Sequence, residues 1–162
     1  HFKEFLTNYM PKEDGDIVDI STGKVLGKHN GLMYYTIGQR KGLDIGGNKE
    51  RLFVVGKDLA KNVLYVSLGD DNSYLLSDSC IIDSVNFNCD IRPKKCTAKF
   101  RYRQPDEEIT VYPLEDGTVE VRCKRPVKAI TPGQACVFYD GEYCLGGGTI
   151  DKVYMNDTLR KY

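Results

Sequence analysis

The chain has 162 residues, 41% hydrophobic and 28% charged, enough for one ordinary domain or two small ones with a real core. No apolar run approaches the ~20 residues of a membrane span and no signal-peptide pattern opens the chain, so a cytoplasmic protein is expected and a membrane or secreted one is not. Its 23 basic and 23 acidic residues cancel, which argues against a nucleic-acid-binding coat over the whole surface but leaves room for a local basic face.

The first residue is His1, and Phe2, Phe5, Leu6 and Tyr9 already repeat at helical spacing until Pro11 stops the run. This beginning reads as the middle of an element, so a piece of a longer protein is expected. Asp16–Asp19 alternates, Ser21-Thr22-Gly23 is a turn and Lys24–Lys28 returns, which is a hairpin. His29 to Gly47 comes next, with glycine at 31, 38, 42, 46 and 47 and the triplet Gln39-Arg40-Lys41 inside it. So many glycines predict repeated turning or close approach, in a loop able to bend over a polyanion with Arg40 and Lys41 as its charges. Leu32–Thr36 is expected to make one or two helical turns, with Leu32, Met33 and Tyr35 facing a core.

Leu52–Val55 and Val63–Val66 read as two strands joined around Lys61-Asn62. The polar stretch Gly69–Ser73 sets a boundary between a small central domain, 1–70, and a second domain, 71–162. Beyond it everything reads as β: Cys80–Phe87, Thr97–Tyr102, Ile109–Leu114, Thr118–Cys123, Ala135–Tyr139, Tyr143–Leu145 and Thr149–Tyr154. Asp116-Gly117 and Asp140-Gly141 supply hairpin turns. Short strands at this spacing, with no long helix between them, predict a small closed barrel. The expected fold class is therefore mainly β (α+β), a small α+β domain followed by an antiparallel barrel of six or so strands.

Chemistry-bearing residues are few. His29 has no Cys or Ser motif beside it and is expected to be structural. The six cysteines (80, 89, 96, 123, 136, 144) form no Cys-x-x-Cys pair, so neither a metal nor a disulfide framework is expected, and buried reduced thiols are. Gly146-Gly147-Gly148 leads into a strand, and close backbone approach is preferred over a phosphate loop. From Ile91 to Arg103 there are six basic residues and no acid, ending in Arg101-Tyr102-Arg103-Gln104. Guanidinium groups there, expected on one strand face, would fork onto phosphates while the tyrosine stacks on a base or ribose. A second basic cluster, Arg122, Lys124, Arg125 and Lys128, leads to Thr131-Pro132-Gly133-Gln134. The acids Asp106, Glu107 and Glu108 are expected only to solvate a turn.

Five segments now make a resemblance specific: His29-x-Gly-Leu-Met-Tyr-x-Thr-x-Gly-Gln-Arg-Lys-Gly-Leu-x-Ile-Gly-Gly47, Arg101–Gln104, Thr131–Gln134, Val137–Tyr139 and Cys144–Gly148. In this order they resemble the C-terminal half of the tRNA-specific 2-thiouridylases. The resemblance implies a central domain plus a barrel like those of translation factors. It implies a parent enzyme that adenylates the wobble uridine with ATP (and Mg) in another domain and delivers sulfur from a cysteine persulfide loaded by a donor protein. It assigns Arg101, Tyr102 and Gln134 to tRNA contact, with Arg103 beside them, and puts Gln39, Arg40 and Lys41 near the active-site mouth. The ATP loop and the family's catalytic cysteine segment are not among these residues, so no catalytic residue or cofactor is expected within the chain. The alternative is a non-enzymatic, translation-factor-like barrel that docks protein or RNA; a flavin-binding small barrel is a weaker third.

Overall fold

The computed structural model describes residues 13–40, 43, 51–69, 73–101 and 104–160. The helix expected over Phe2–Tyr9, and the candidates Lys41, Tyr102 and Arg103, lie outside these residues. The chain divides into two compact units, one ending at Leu75 and the other running Leu76–Arg160.

In the first unit the expected hairpin is present as β1 (Gly15–Asp19) and β2 (Val25–His29), paired antiparallel. Asp19 shapes its turn: its Oδ1 accepts the Ser21 N–H at 2.9 Å and the Ser21 hydroxyl at 2.7 Å. Burial pushes this carboxyl up, but the hydrogen bonds from Ser21 and Thr22 together outweigh it and hold Asp19 below the usual carboxylate range. β3 (Leu52–Asp58) and β4 (Val63–Leu68) form the second antiparallel pair, and β1 joins β4 in parallel, giving the order β2-β1-β4-β3. Leu52–Gly56 is buried at every position, which explains why that segment reads as a continuous apolar run and not as an alternation. The expected helical turn is a 3-10 turn at Leu32–Tyr34, and Leu32, Met33 and Tyr35 are all buried.

The second unit is the barrel. β5 (Leu76–Phe87), β6 (Lys94–Lys99), β7 (Glu107–Pro113), β8 (Val119–Lys128), β9 (Ala135–Asp140) and β10 (Tyr143–Met155) pair in the cyclic order β10-β5-β8-β7-β6-β9, and β9 closes onto β10. All of these pairings are antiparallel. A short β11 (Thr158–Leu159) adds to β10 outside the ring. Inward residues Ile82, Ala98, Ile109, Val111, Val121, Phe138 and Ile150 fill the interior, and Phe87 stacks on Phe138 at 5.7 Å.

Two expectations about this unit are corrected. Tyr143–Leu145 and Thr149–Tyr154 are one strand, because the three glycines between them are themselves paired, Gly146 with Phe87 and Phe138, and Gly147 and Gly148 with Val137 and Cys136. A side chain at Gly146 or Gly148 would run into the backbone of β5, and one at Gly147 into the Cys136 carbonyl on β9. The thiols, secondly, are not uniformly buried. Cys80 and Cys136 are buried, Cys96 and Cys123 are intermediate, and Cys89 and Cys144 are exposed because they sit at strand ends where the barrel opens; all six are free.

Candidate nucleic-acid interface

β6 and β9 pair antiparallel, Thr97 with Tyr139 and Lys99 with Val137. Arg101, two residues past the end of β6, and Gln134, the residue before β9, therefore flank the same end of this strand pair. Arg101 is not on a strand face, however. β6 ends at Lys99, and the Gln104 N–H donates to the Arg101 carbonyl at 3.2 Å. Ladder pairing with β7 stops at Ala98–Glu107. Arg101 is half-buried.

Gln134 ends a second turn. The Gln134 N–H donates to the Thr131 carbonyl at 3.2 Å, and Gly133 at φ +89° takes the left-handed conformation that a type II turn needs in its third position. The Gly133 N–H donates to Ile150 O at 2.8 Å, and Ile150 N–H donates to Gln134 O at 2.9 Å. Two residues thus oppose one, a G1 bulge that fixes the turn against β10. The Thr131 hydroxyl donates to Ala129 O at 3.0 Å. The Gln134 side chain is exposed and makes no hydrogen bond among the described residues.

In the first unit Gln39 and Arg40 come after the 3-10 turn. Gln39 is half-buried: its Oε1 accepts the Thr36 N–H at 2.9 Å, and its carbonyl accepts the Val54 N–H at 2.9 Å. Arg40 is exposed, with its guanidinium carbon 5.2 Å from the centre of the buried Phe53 ring.

The two basic runs look different in space. They are free of acids along the sequence, but strand pairing interleaves acids between them. Lys99 pairs with Asp106 at 3.6 Å, Lys124 with Glu108 at 3.0 Å, Lys94 with Asp140, and Arg122 with Glu120 and with Asp157 at 3.8 Å. Asp106 and Glu108 are therefore ion-pair partners of Lys99 and Lys124, not mere solvators of a turn, and the Lys124 ammonium holds the Glu108 carboxyl below its ordinary range. The two runs read from the sequence as acid-free are thus partly matched by acids in space.

His29, the opening residue of the glycine-rich stretch, is 1% exposed and structural. The Gly31 N–H donates to its Nδ1 at 3.0 Å, which leaves Nε2 to donate to the Asn62 carbonyl at 2.9 Å. Among the described residues no group of three or more His, Cys, Asp or Glu side chains could hold a metal ion, and no helix is long and apolar enough to cross a membrane.

A mixed four-stranded sheet followed by a closed six-stranded barrel defines a two-domain β module with a cation and a free amide flanking one end of the β6–β9 pair. Two domain families match in the same order: the tRNA methyl transferase PRC-barrel domain over residues 3–68 and the aminomethyltransferase beta-barrel domain over 77–150. The tRNA-specific 2-thiouridylase MnmA of Listeria monocytogenes serotype 4a is 56% identical over 165 residues, covering all of this chain. Those of Geobacillus kaustophilus (MnmA 2) and Geobacillus thermodenitrificans are 56% and 55% identical over 96% of it. The chain belongs to the tRNA-specific 2-thiouridylase family, matching the C-terminal part of its members. It spans 44% of the length of the Listeria protein and 42% of that of the Geobacillus proteins.

Proposed function

We propose that this chain is the tRNA-holding part of a tRNA-uridine 2-sulfurtransferase. The observation that carries this reading is the family match over the whole chain, supported by Arg101 and Gln134 flanking the same end of the β6–β9 pair. Arg101 forks onto a backbone phosphate, and Tyr102 and Arg103, the next two residues in sequence, add a stacking ring and a second guanidinium. Gln134 offers a donor and an acceptor to a base edge or 2′-hydroxyl. The family resemblance assigns Gln39, Arg40 and Lys41 to the active-site mouth of the parent protein.

The chemistry is supplied elsewhere in the parent protein. ATP (with Mg) activates the wobble uridine in another domain, a persulfide-carrying cysteine outside this chain delivers sulfur, and a donor protein reloads it. The chain alone holds tRNA without thiolating it, in the cytoplasm. Phosphate contacts dominate, so affinity falls steeply with salt. Filter binding of a tRNA transcript at low salt tests this: Arg101→Ala lowers affinity roughly 5–100-fold, as expected for ~1–3 kcal/mol per good contact. Unchanged binding by that variant would sink the reading.

A further inference from the structure

The barrel's Thr131-Pro132-Gly133-Gln134 turn has a twin in the first unit. At Thr36-Ile37-Gly38-Gln39 the Gln39 N–H donates to the Thr36 carbonyl at 2.9 Å, the Gly38 N–H to Val54 O at 2.7 Å, and Val54 N–H to Gln39 O at 2.9 Å. Gly38 has φ +91° against +89° for Gly133, and a Cβ at either would meet nothing within 4 Å, so conformation and not space requires both glycines. Thr-x-Gly-Gln is thus one device, a type II turn with a G1 bulge, used once on the edge strand β3 and once on β10.

The copies differ in their glutamine and in the residue after it. Gln39 turns its Oε1 back onto the Thr36 N–H, whereas Gln134 points its amide outward. The residue after Gln39 is Arg40, whose guanidinium carbon is 5.2 Å from the centre of the Phe53 ring on β3. The guanidinium lies over that ring, and the ring is 1% exposed and fixed by the core, so the cation is held before any ligand arrives. After Gln134 the equivalent residue is Ala135.

We propose that the first turn holds Arg40, stacked on Phe53, as an RNA-phosphate contact, and that Gln39 is its positioning residue and not a contact. The ligand rests on the tRNA-binding reading above; the positioning does not. A planar guanidinium with one face on an aromatic ring still presents its edge N–H groups to a phosphate. Gln134 takes the other role open to this turn, a direct neutral contact.

Two measurements on the full chain test the proposal. In tRNA binding across a salt series, Arg40→Ala lowers affinity and reduces the log–log salt slope by about 1, the signature of one lost phosphate contact. Gln39→Ala gives the same slope loss, because Arg40 is no longer held, while Gln134→Ala weakens binding with the slope intact. Phe53→Leu keeps the charge but removes the ring, and weakens binding about 2–5-fold. In RNA-free protein, NMR finds the Arg40 side-chain protons shifted by the Phe53 ring current, a shift lost in Gln39→Ala and in Phe53→Leu. Gln39→Ala weakening binding at an unchanged slope would make Gln39 a contact and overturn the proposal, as would an unshifted Arg40. Wild-type binding that Arg40→Ala leaves untouched removes the phosphate contact but spares the reading at Arg101. Absence of wild-type binding removes that reading and the proposed ligand with it.

Discussion

His29 and Asn62 clasp the first unit through hydrogen bonds that do not depend on any ligand. Asn62 sits at φ 55°, a left-handed conformation that asparagine tolerates, and its Nδ2 donates to the Glu13 and Asp14 carbonyls at 3.2 Å each. Gly15 passes so close that a Cβ there would press on the Asn62 carbonyl and the His29 ring. His29→Ala leaves the Gly31 N–H and the Asn62 carbonyl without their buried partner and opens a void, at a cost of about 2–4 kcal/mol in chemical denaturation. Asp19 acts through its charge. Its carboxyl is lowered from 3.8, so its contribution to stability is full above that value and is lost as pH falls through the still lower folded value. Urea midpoints followed down the acid limb should therefore drop less for Asp19→Asn than for the wild type. The thiols separate by environment as well. In native protein at neutral pH a maleimide should label Cys89 and Cys144 quickly and leave Cys80 and Cys136 until the chain is unfolded. Burial pushes the Cys123 thiol up to about 12, so it should also lag.

Elements are held by glycine where backbones touch and by the Thr-x-Gly-Gln turn where a loop must be pinned to a strand. The glycines of β10 close the barrel. Gly147→Ala forces β10 off the Cys136 carbonyl and should destabilise the second unit while leaving the hydrogen exchange of β1–β4 unchanged. Gly38→Ala is a different lesion. The space is open, but the φ of +91° is strained for any L side chain, at about 1–2 kcal/mol. That strain should appear as a lowered melting temperature together with loss of the Arg40 ring-current shift.

For the molecule as a whole, several cations of the barrel's basic runs are already engaged by acids. Lys124 is already engaged by Glu108, and Arg122 by Glu120 and Asp157. Lys124→Ala should accordingly change tRNA affinity by no more than about twofold, within the range of an exposed ion pair, against the larger loss expected of Arg101→Ala. A large, equal effect at both positions would mean that the cations of β8 are an RNA surface despite their partners.

The sequence by itself determined the β architecture. Alternation in β5 and β9, the Asp-Gly turns and the absence of long helical periods dictate a barrel, because side-chain period and turn chemistry are local properties. It also determined that His29 is structural and that the three glycines mark backbone contact. Charge geometry was not legible, because which acid faces which base depends on strand register, and register joins residues such as Lys99 and Asp106 or Lys124 and Glu108 through pairings no local pattern contains. Nor could Gln39 be told from Gln134: the four-residue motifs match in kind, and only the folded backbone turns one amide onto Thr36 and the other toward solvent. The tertiary structure decided those points because each depends on what lies beside a residue in space, and that is set by strands brought together from distant parts of the chain.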